Sequence, residues 1–248
     1  MNTKILNFFI ENLKETFNLP KYADLRIDET VDYLCLPWTP AKRDKFERLV
    51  KNTFNLDVTF KGTLANIIND IDTRYLHWFF GQVWKPRTEE FGFTGWGIVD
   101  EINHHDPKAV LDVGCGYNQF KGKVNNLTGI DPFNAAADYM VDILEYDVDD
   151  RYDAIMVFGS INFNAYEDVD ARVAQVVKLL AAGGRIYFRA NPGVQHSKAT
   201  GAPFDGPWVD VFPWSFDYAK HFAEKYELEL ETFKKDNNSR LFFVLKKP

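Results

Sequence analysis

Cysteine is nearly missing from this chain: among 248 residues only Cys35 and Cys115 carry a thiol. Two cysteines cannot staple a small secreted fold, and Cys115 stands between two glycines, where a cross-link would obstruct anything approaching the turn. No disulfide framework is expected, and the setting that follows is reducing and cytoplasmic. Basic charge is also short. Lys and Arg number 29 against 36 Asp and Glu, for a net charge of −7, which argues against extensive nucleic-acid binding while leaving a local basic groove open. Long apolar runs are absent too. The densest cluster, Trp78-Phe79-Phe80, is far too short to span a bilayer, so no membrane partner is expected. Met1 to Leu13 mixes charges into a helical pattern rather than a signal-type apolar run. There is no repeat, no low-complexity tract, and no His/Cys set at ligand spacing, so no metal is expected.

What the chain does have is apolar bulk. Hydrophobic residues make up 46% and aromatic residues 16%, with 22 Phe, enough for a full core and suited to planar ligands. Up to about residue 90 the patterns are helical. Ile5, Leu6, Phe9, Leu13 and Phe17 recur at three-to-four spacing and stop at Asn18-Leu19-Pro20. Thr39-Pro40 reads as a cap and first turn for a second helix through Phe46, Leu49 and Val50. A third runs from Leu64 to Trp84. The expected division is 1–90 as a mostly helical extension covering an acceptor site, and 91–248 as the main domain.

Beyond it, after a helix from Trp96 to His104, short apolar runs alternate with helices. Strands are expected at Ala109–Val113, Leu127–Ile130, Asp138–Ile143, Ala154–Phe158 and Arg185–Phe188. A helix over Asp168–Leu180 should close on Ala182-Gly183-Gly184 as its C-cap. Ser215 should cap a helix through Tyr226, and strands Glu227–Phe233 and Arg240–Lys246 should close the chain as a hairpin. Alternation of this kind predicts an α/β, Rossmann-like parallel sheet, and the tight final turn makes the last strand antiparallel.

The first strand runs into Gly114-Cys115-Gly116, where glycine permits both unusual backbone angles and close approach of a ligand. Nineteen residues after Asp112, the second strand ends in Asp131, placed to accept from ribose hydroxyls in the ligand crevice. Asp142 beside Ile143 and Leu144 suits an adenine amino group and ring face.

These elements together resemble a known family. Val110-Leu111-Asp112-Val113-Gly114-Cys115-Gly116 is similar to the first motif of class I S-adenosylmethionine-dependent methyltransferases, Gly129-Ile130-Asp131 to the second, and Val141-Asp142-Ile143-Leu144 to the third. Tyr152 to Val157 and Leu179-Leu180-Ala181-Ala182-Gly183-Gly184-Arg185 resemble the phrases around strands four and five. The resemblance implies a seven-stranded sheet with strand seven antiparallel between five and six, S-adenosylmethionine as cofactor, and transfer of its methyl group. It places Asp112, Gly114, Cys115 and Gly116 at the methionine moiety, Asp131 at the ribose, Asp142 and Ile143 at the adenine, and Phe158, Gly159 and Ser160 near the sulfonium.

The turn has no third glycine at the place where a nicotinamide-binding fingerprint has one, which disfavours a pyrophosphate ligand. Asn118 to Asn126 and Pro132 to Ala137 are short, so the helices there are expected to shrink to single turns. The segment after strand four, Gly159-Ser160-Ile161-Asn162-Phe163, lacks the Asn/Asp-Pro-Pro-aromatic pattern of nucleobase methylation. The expected acceptor is therefore an unidentified small molecule or protein side chain, with Asn162, Arg189 and His196 as candidate contacts. No residue declares itself a catalytic base. The rival reading is a non-catalytic S-adenosylmethionine-binding subunit of a complex. Arg87 to Trp96 is placed to act as a lid, Tyr75, Trp78, Phe79 and Trp84 as a packed helix face, and His104-His105 at an exposed helix end.

Overall fold

Ile5, Phe9, Leu13 and Phe17 fall every four residues, and they are the buried residues of α1 (Thr3–Phe17). Asn2 caps its start by accepting from the Lys4 and Ile5 N–H groups, and Asn18 ends it in the left-handed conformation. In α2 (Pro40–Phe54) the Thr39 side chain accepts from Lys42 N–H, with Pro40 in the first turn. Helix α3 (Leu64–Trp78) is capped by Thr63 and passes into one wider turn over Phe79–Val83. Phe9, Phe46 and Phe60 pack with edge-on or tilted rings against one another, so aromatic bulk fills this core.

The structure, a computed structural model, describes residues 1–30, 36–83, 94–149, 151–163, 165–192, 208–236 and 240–248. The chain divides into two units, Met1–Val83 with Gly206–Asp210, and Trp84–Asp205 with Val211–Pro248. The first unit therefore includes a short segment from far along the chain. Asn2 Nδ2 donates to the Trp208 carbonyl at 2.7 Å and to Asp72 Oδ1 at 2.8 Å, while Thr3 N–H donates to Asp210 Oδ2 at 3.0 Å. Among the described residues no helix is long and apolar enough to cross a membrane.

The second unit is built on a sheet. A single 3-10 turn (Thr94–Ile98) leads into α4 (Val99–His104). Then follow β1 (Val110–Val113), β2 (Leu127–Ile130), β3 (Tyr152–Phe158), α5 (Tyr166–Leu179), β4 (Leu180–Ala190), α6 (Phe216–Lys225), β5 (Glu229–Lys235) and β6 (Leu241–Lys246). The strand order is β2-β1-β3-β4-β6-β5, parallel except that β6 runs antiparallel to both β4 and β5. Alternate residues feed two cores. Leu111, Val113, Ile155, Val157, Ile186, Phe188, Phe243 and Leu245 enter one. Val110, Ala154, Met156, Tyr187, Phe242 and Val244 enter the other with Ile98 and Ile102.

Two expectations need correction. The sheet has six strands among the described residues, because Asp138–Ile143 makes only one parallel bridge, Tyr139 to Ile130. The crossover from β2 is too short for a helix to return a full parallel strand, and the chain turns away where Leu144 N–H meets Asp142 Oδ1 at 2.9 Å. Nor do Ala182-Gly183-Gly184 cap the helix. The cap is Leu180, already extended, and the pairing with β3 jumps from Tyr152–Leu180 to Ala154–Arg185, so these residues bulge within β4. The segments after β1 and β2 hold turns rather than helices among the described residues.

Candidate functional site

The carboxyl ends of β1, β2, β3 and β4 lie on one edge, and the candidate residues collect there. β1 is followed by Gly114, which has φ +68°, and a Cβ on it would stand 2.3 Å from Ser160 Cβ. Only glycine tolerates both the backbone angle and the pressure of the loop after β3. The Gly114 and Cys115 N–H groups both donate to the Ile130 carbonyl, at 2.8 and 3.0 Å, which joins the turn to β2. Gly116 N–H donates to Asp131 Oδ2 at 2.9 Å, while Phe133 and Asn134 N–H donate to Oδ1 at 2.8 and 2.9 Å. Three of the roughly four acceptor positions of that carboxylate are thus occupied by backbone.

Asp112 is different. It is 2% exposed, and its carboxylate makes no hydrogen bond among the described residues. Burial first, and the Asp131 charge second, push its pKa up to about 7. Burial and the nearby Asp112, Asp131 and Asp138 carboxylates drive the Cys115 thiol well above its usual range. That makes it a packing residue rather than a nucleophile.

Asp138 had no mark in the sequence, yet it organises the back of the turn. It accepts from Gly129 N–H at 2.8 Å and Lys121 Nζ at 2.7 Å. Burial raises its pKa, but these two partners outweigh that and hold the carboxyl below its ordinary value. Asn118 donates to the Ala136 carbonyl at 3.1 Å, and its Oδ1 is enclosed without a partner among the described residues. A Cβ on Gly129 would meet that Oδ1 at 2.6 Å and Cys115 Sγ at 2.9 Å, so turn and strand pack closely without a third glycine.

Toward the expected adenine position, Asp142 is clasped by Arg172 of α5, whose Nη1 lies 2.6 and 2.7 Å from the two carboxylate oxygens. Ile143 is only 3% exposed and belongs to the core, so its side chain is not available to a ring, whereas Tyr139, Met140 and Leu144 around it are exposed. Phe158 packs edge-on against Phe120, with centroids 5.7 Å apart. The loop beyond it carries Gly159, Ser160 and the fully buried Asn162, whose Oδ1 accepts from Asn191 N–H at 3.1 Å.

The remaining candidates separate. Arg189 does not stand ready for a substrate, because Asp236 holds its Nε at 2.7 Å. Asp236 also accepts Arg240 N–H at 2.9 Å, and burial, then Arg189, lower the Arg240 pKa to about 10. Trp96 packs against Phe120 at 5.0 Å. His196, Cys35, Trp84 and 87–93 of the expected lid lie outside the described residues.

No family model matches the chain, and no curated protein matches it in sequence. Solved structures do match. N-methyltransferase NodS from Bradyrhizobium japonicum, in complex with S-adenosyl-L-homocysteine, is 15% identical with a TM-score of 0.52, over 71% of this chain and 98% of that one. The 1,6-didemethyltoxoflavin-N1-methyltransferase of Burkholderia thailandensis, with 1,6-didemethyltoxoflavin and S-adenosylhomocysteine bound, is 13% identical with a TM-score of 0.53, over 74% of this chain and 89% of that one. The fold is that of these methyltransferases. An S-adenosylmethionine-dependent methyltransferase from Clostridium acetobutylicum is similar as well, at 13% identity and a TM-score of 0.50, over 71% of this chain and 98% of that one. In this methyltransferase fold the glycine turn, Asp131 and the loop after β3 share one edge, and only the pairing of the strands brings them there.

Proposed function

We propose that this chain is a methyltransferase that takes its methyl group from S-adenosylmethionine and passes it to a small molecule, with nitrogen as the accepting atom. The observation that carries the reading is Asp112, a buried carboxylate without a hydrogen-bond partner among the described residues, two positions before a glycine turn. A carboxylate so placed is costly unless a ligand supplies a cation or donors, and the ammonium of the cofactor's methionine does so.

The other residues fit the same ligand. Asp131 has about one acceptor position left for a ribose hydroxyl. Asp142, held in place by Arg172, offers a carboxylate edge to the adenine amino group. Leu144, with Met140 and Tyr139, offers apolar surface to the ring. Gly114 and Gly116 let the ligand approach the backbone. Bound there, S-adenosylmethionine supplies a methyl group already activated by its sulfonium. The protein's own work is then to orient donor and acceptor in line and to exclude water. A nitrogen whose lone pair is free at neutral pH, as in aromatic amines and ring nitrogens, attacks without a general base and gives up its proton to solvent afterwards, in keeping with the neutral Ser160 and Asn162 after β3. The structural neighbours named as N-methyltransferases support nitrogen as the acceptor atom.

Calorimetry with S-adenosylmethionine, S-adenosylhomocysteine and NAD tests the cofactor directly. Binding of the first two and not the third is expected, and silence from both would sink the reading. Labelled methyl donor offered with panels of amines and ring nitrogens then tests the acceptor, with label in the nitrogen compounds as the expected result.

A further inference from the structure

The amino ends of β1, β3 and β4 form the edge of the sheet opposite the glycine turn, and a cavity of about 320 Å³ opens there. β4 makes one wall. Between Leu180 and Arg185 its pairing with β3 is interrupted, so Ala182, Gly183 and Gly184 bulge away and line the space. The bulge is anchored to the end of the chain, because the Gly184 carbonyl accepts from Lys247 N–H at 2.9 Å. Tyr187 of the same strand also lines the cavity. It is 1% exposed, yet its hydroxyl has no hydrogen-bond partner among the described residues. Burial first, and the Glu101 charge second, push its pKa up to about 12, so it stays a neutral hydroxyl at ordinary pH. A buried phenol without a partner is costly unless an occupant of the cavity supplies one.

The charged groups of the same cavity keep free capacity of both signs. Arg185 gives Nε and Nη2 to Glu231 at 2.8 and 2.9 Å, which leaves Nη1. Asp153 takes the Lys108 and Ala109 N–H groups on Oδ2, at 2.6 and 3.2 Å, which leaves Oδ1. Lys108 and Asp106 are exposed, and their side chains carry no ion pair among the described residues. Two cations and two carboxylates favour neither a simple anion nor a simple cation; they match a molecule that bears both charges. We propose that this cavity binds a small amphoteric molecule of the α-amino acid class. Tyr187 Oη–H, Arg185 Nη1 and Lys108 Nζ receive its carboxylate, and Asp153 Oδ1 and Asp106 receive its ammonium. Ile102, Pro107 and Ala154, all buried, add apolar wall for an aliphatic side chain. In open α/β sheets the catalytic crevice lies at the carboxyl ends of the strands, so this site is separate from the proposed methyl-donor site.

Calorimetry on the intact chain tests this with leucine and with 4-methylpentanoate and isopentylamine, each of which lacks one of leucine's charges. Leucine should bind, and each analogue should bind about tenfold more weakly or worse, as expected when hydrogen bonds to a charged group are lost. Tyr187→Phe keeps the ring and should also weaken leucine about tenfold. Its urea midpoint should not fall, because the hydroxyl has no partner within the chain to lose. Asp153→Asn keeps an oxygen for the two N–H groups, and it should weaken leucine while leaving 4-methylpentanoate unchanged. No binding of leucine, equal affinity for either analogue, or a leucine affinity unchanged by Tyr187→Phe would overturn the assignment. A lowered midpoint for Tyr187→Phe would do so too, by showing the hydroxyl already satisfied. S-adenosylhomocysteine should bind Tyr187→Phe as it binds the wild type. A loss in step with leucine would put both ligands in one site and overturn the separation.

Discussion

The Gly116 N–H group donates to Asp131 Oδ2 at 2.9 Å, so the turn after β1 is pinned to the carboxylate that ends β2. The same carboxylate holds the Phe133 and Asn134 N–H groups, so Asp131 ties together the turns that follow β1 and β2. Asp131→Ala leaves three backbone donors without their acceptor and should lower stability by about 3 kcal/mol. It should also weaken S-adenosylhomocysteine binding. Urea titration and calorimetry read the two effects, and an unchanged unfolding midpoint would show that the turn does not depend on this side chain.

Asp112 makes stability depend on pH in an unusual sense. Its carboxyl is pushed from 3.8 in its ordinary state up to about 7 in the folded chain. Between those values the folded state holds a proton that the unfolded state releases, so stability from this group is present in acid and is lost as pH rises toward about 7. The change is on the order of 4 kcal/mol. Asp112→Asn should flatten that slope and be more stable than wild type at pH 8. Ligand binding runs the other way, because an ammonium needs the ionised carboxylate. Affinity for S-adenosylhomocysteine should drop below about pH 7, and an affinity independent of pH from 5.5 to 8 would contradict the pairing.

Gly114 and Gly122 both have positive φ, at +68° and +75°, but only Gly114 is crowded. A Cβ there meets Ser160, and one on Gly122 meets nothing within 4 Å. Gly122→Ala should cost about 1 kcal/mol from backbone strain alone. Gly114→Ala should cost about 2–4 kcal/mol, since the clash adds to the strain. Equal costs in parallel denaturation curves would mean that the loop after β3 yields freely.

Arg189 and Asp236 form a pair whose side chains are only 17% and 14% exposed. Arg189→Ala leaves a carboxylate mostly enclosed and should destabilise by about 3 kcal/mol. Once an acceptor is known, its KM should be unchanged where the variant remains folded. A raised KM at normal stability would return Arg189 to the substrate.

Much of this molecule is determined by local signals. The four-residue spacing from Ile5 to Phe17, the Thr39-Pro40 start of α2, Ser215 before α6 and the short run Leu127–Ile130 all became the elements they announce. A helix face, a cap and a buried strand are each decided by residues a few positions apart. The antiparallel pairing of β5 with β6 follows equally from how few residues separate them. The glycine turn and the acidic strand ends were legible for the same reason.

Tertiary structure decided the rest. Asp138–Ile143 has a strand's apolar pattern but reaches the β2 edge after too few residues to pair along its length. Gly183 and Gly184 look like a helix stop, but β3 draws the chain into β4 before they arrive. The Gly116 partner of Asp131, the Arg172 partner of Asp142 and the Asp236 partner of Arg189 are distant in sequence, and so is the crowding of Gly114 by Ser160. What leaves Ser160 and Asn162 each with an unsatisfied atom among the described residues is equally non-local. Whether a buried polar group is paired depends on which chain segments fold over it, and no pattern within its own segment records that.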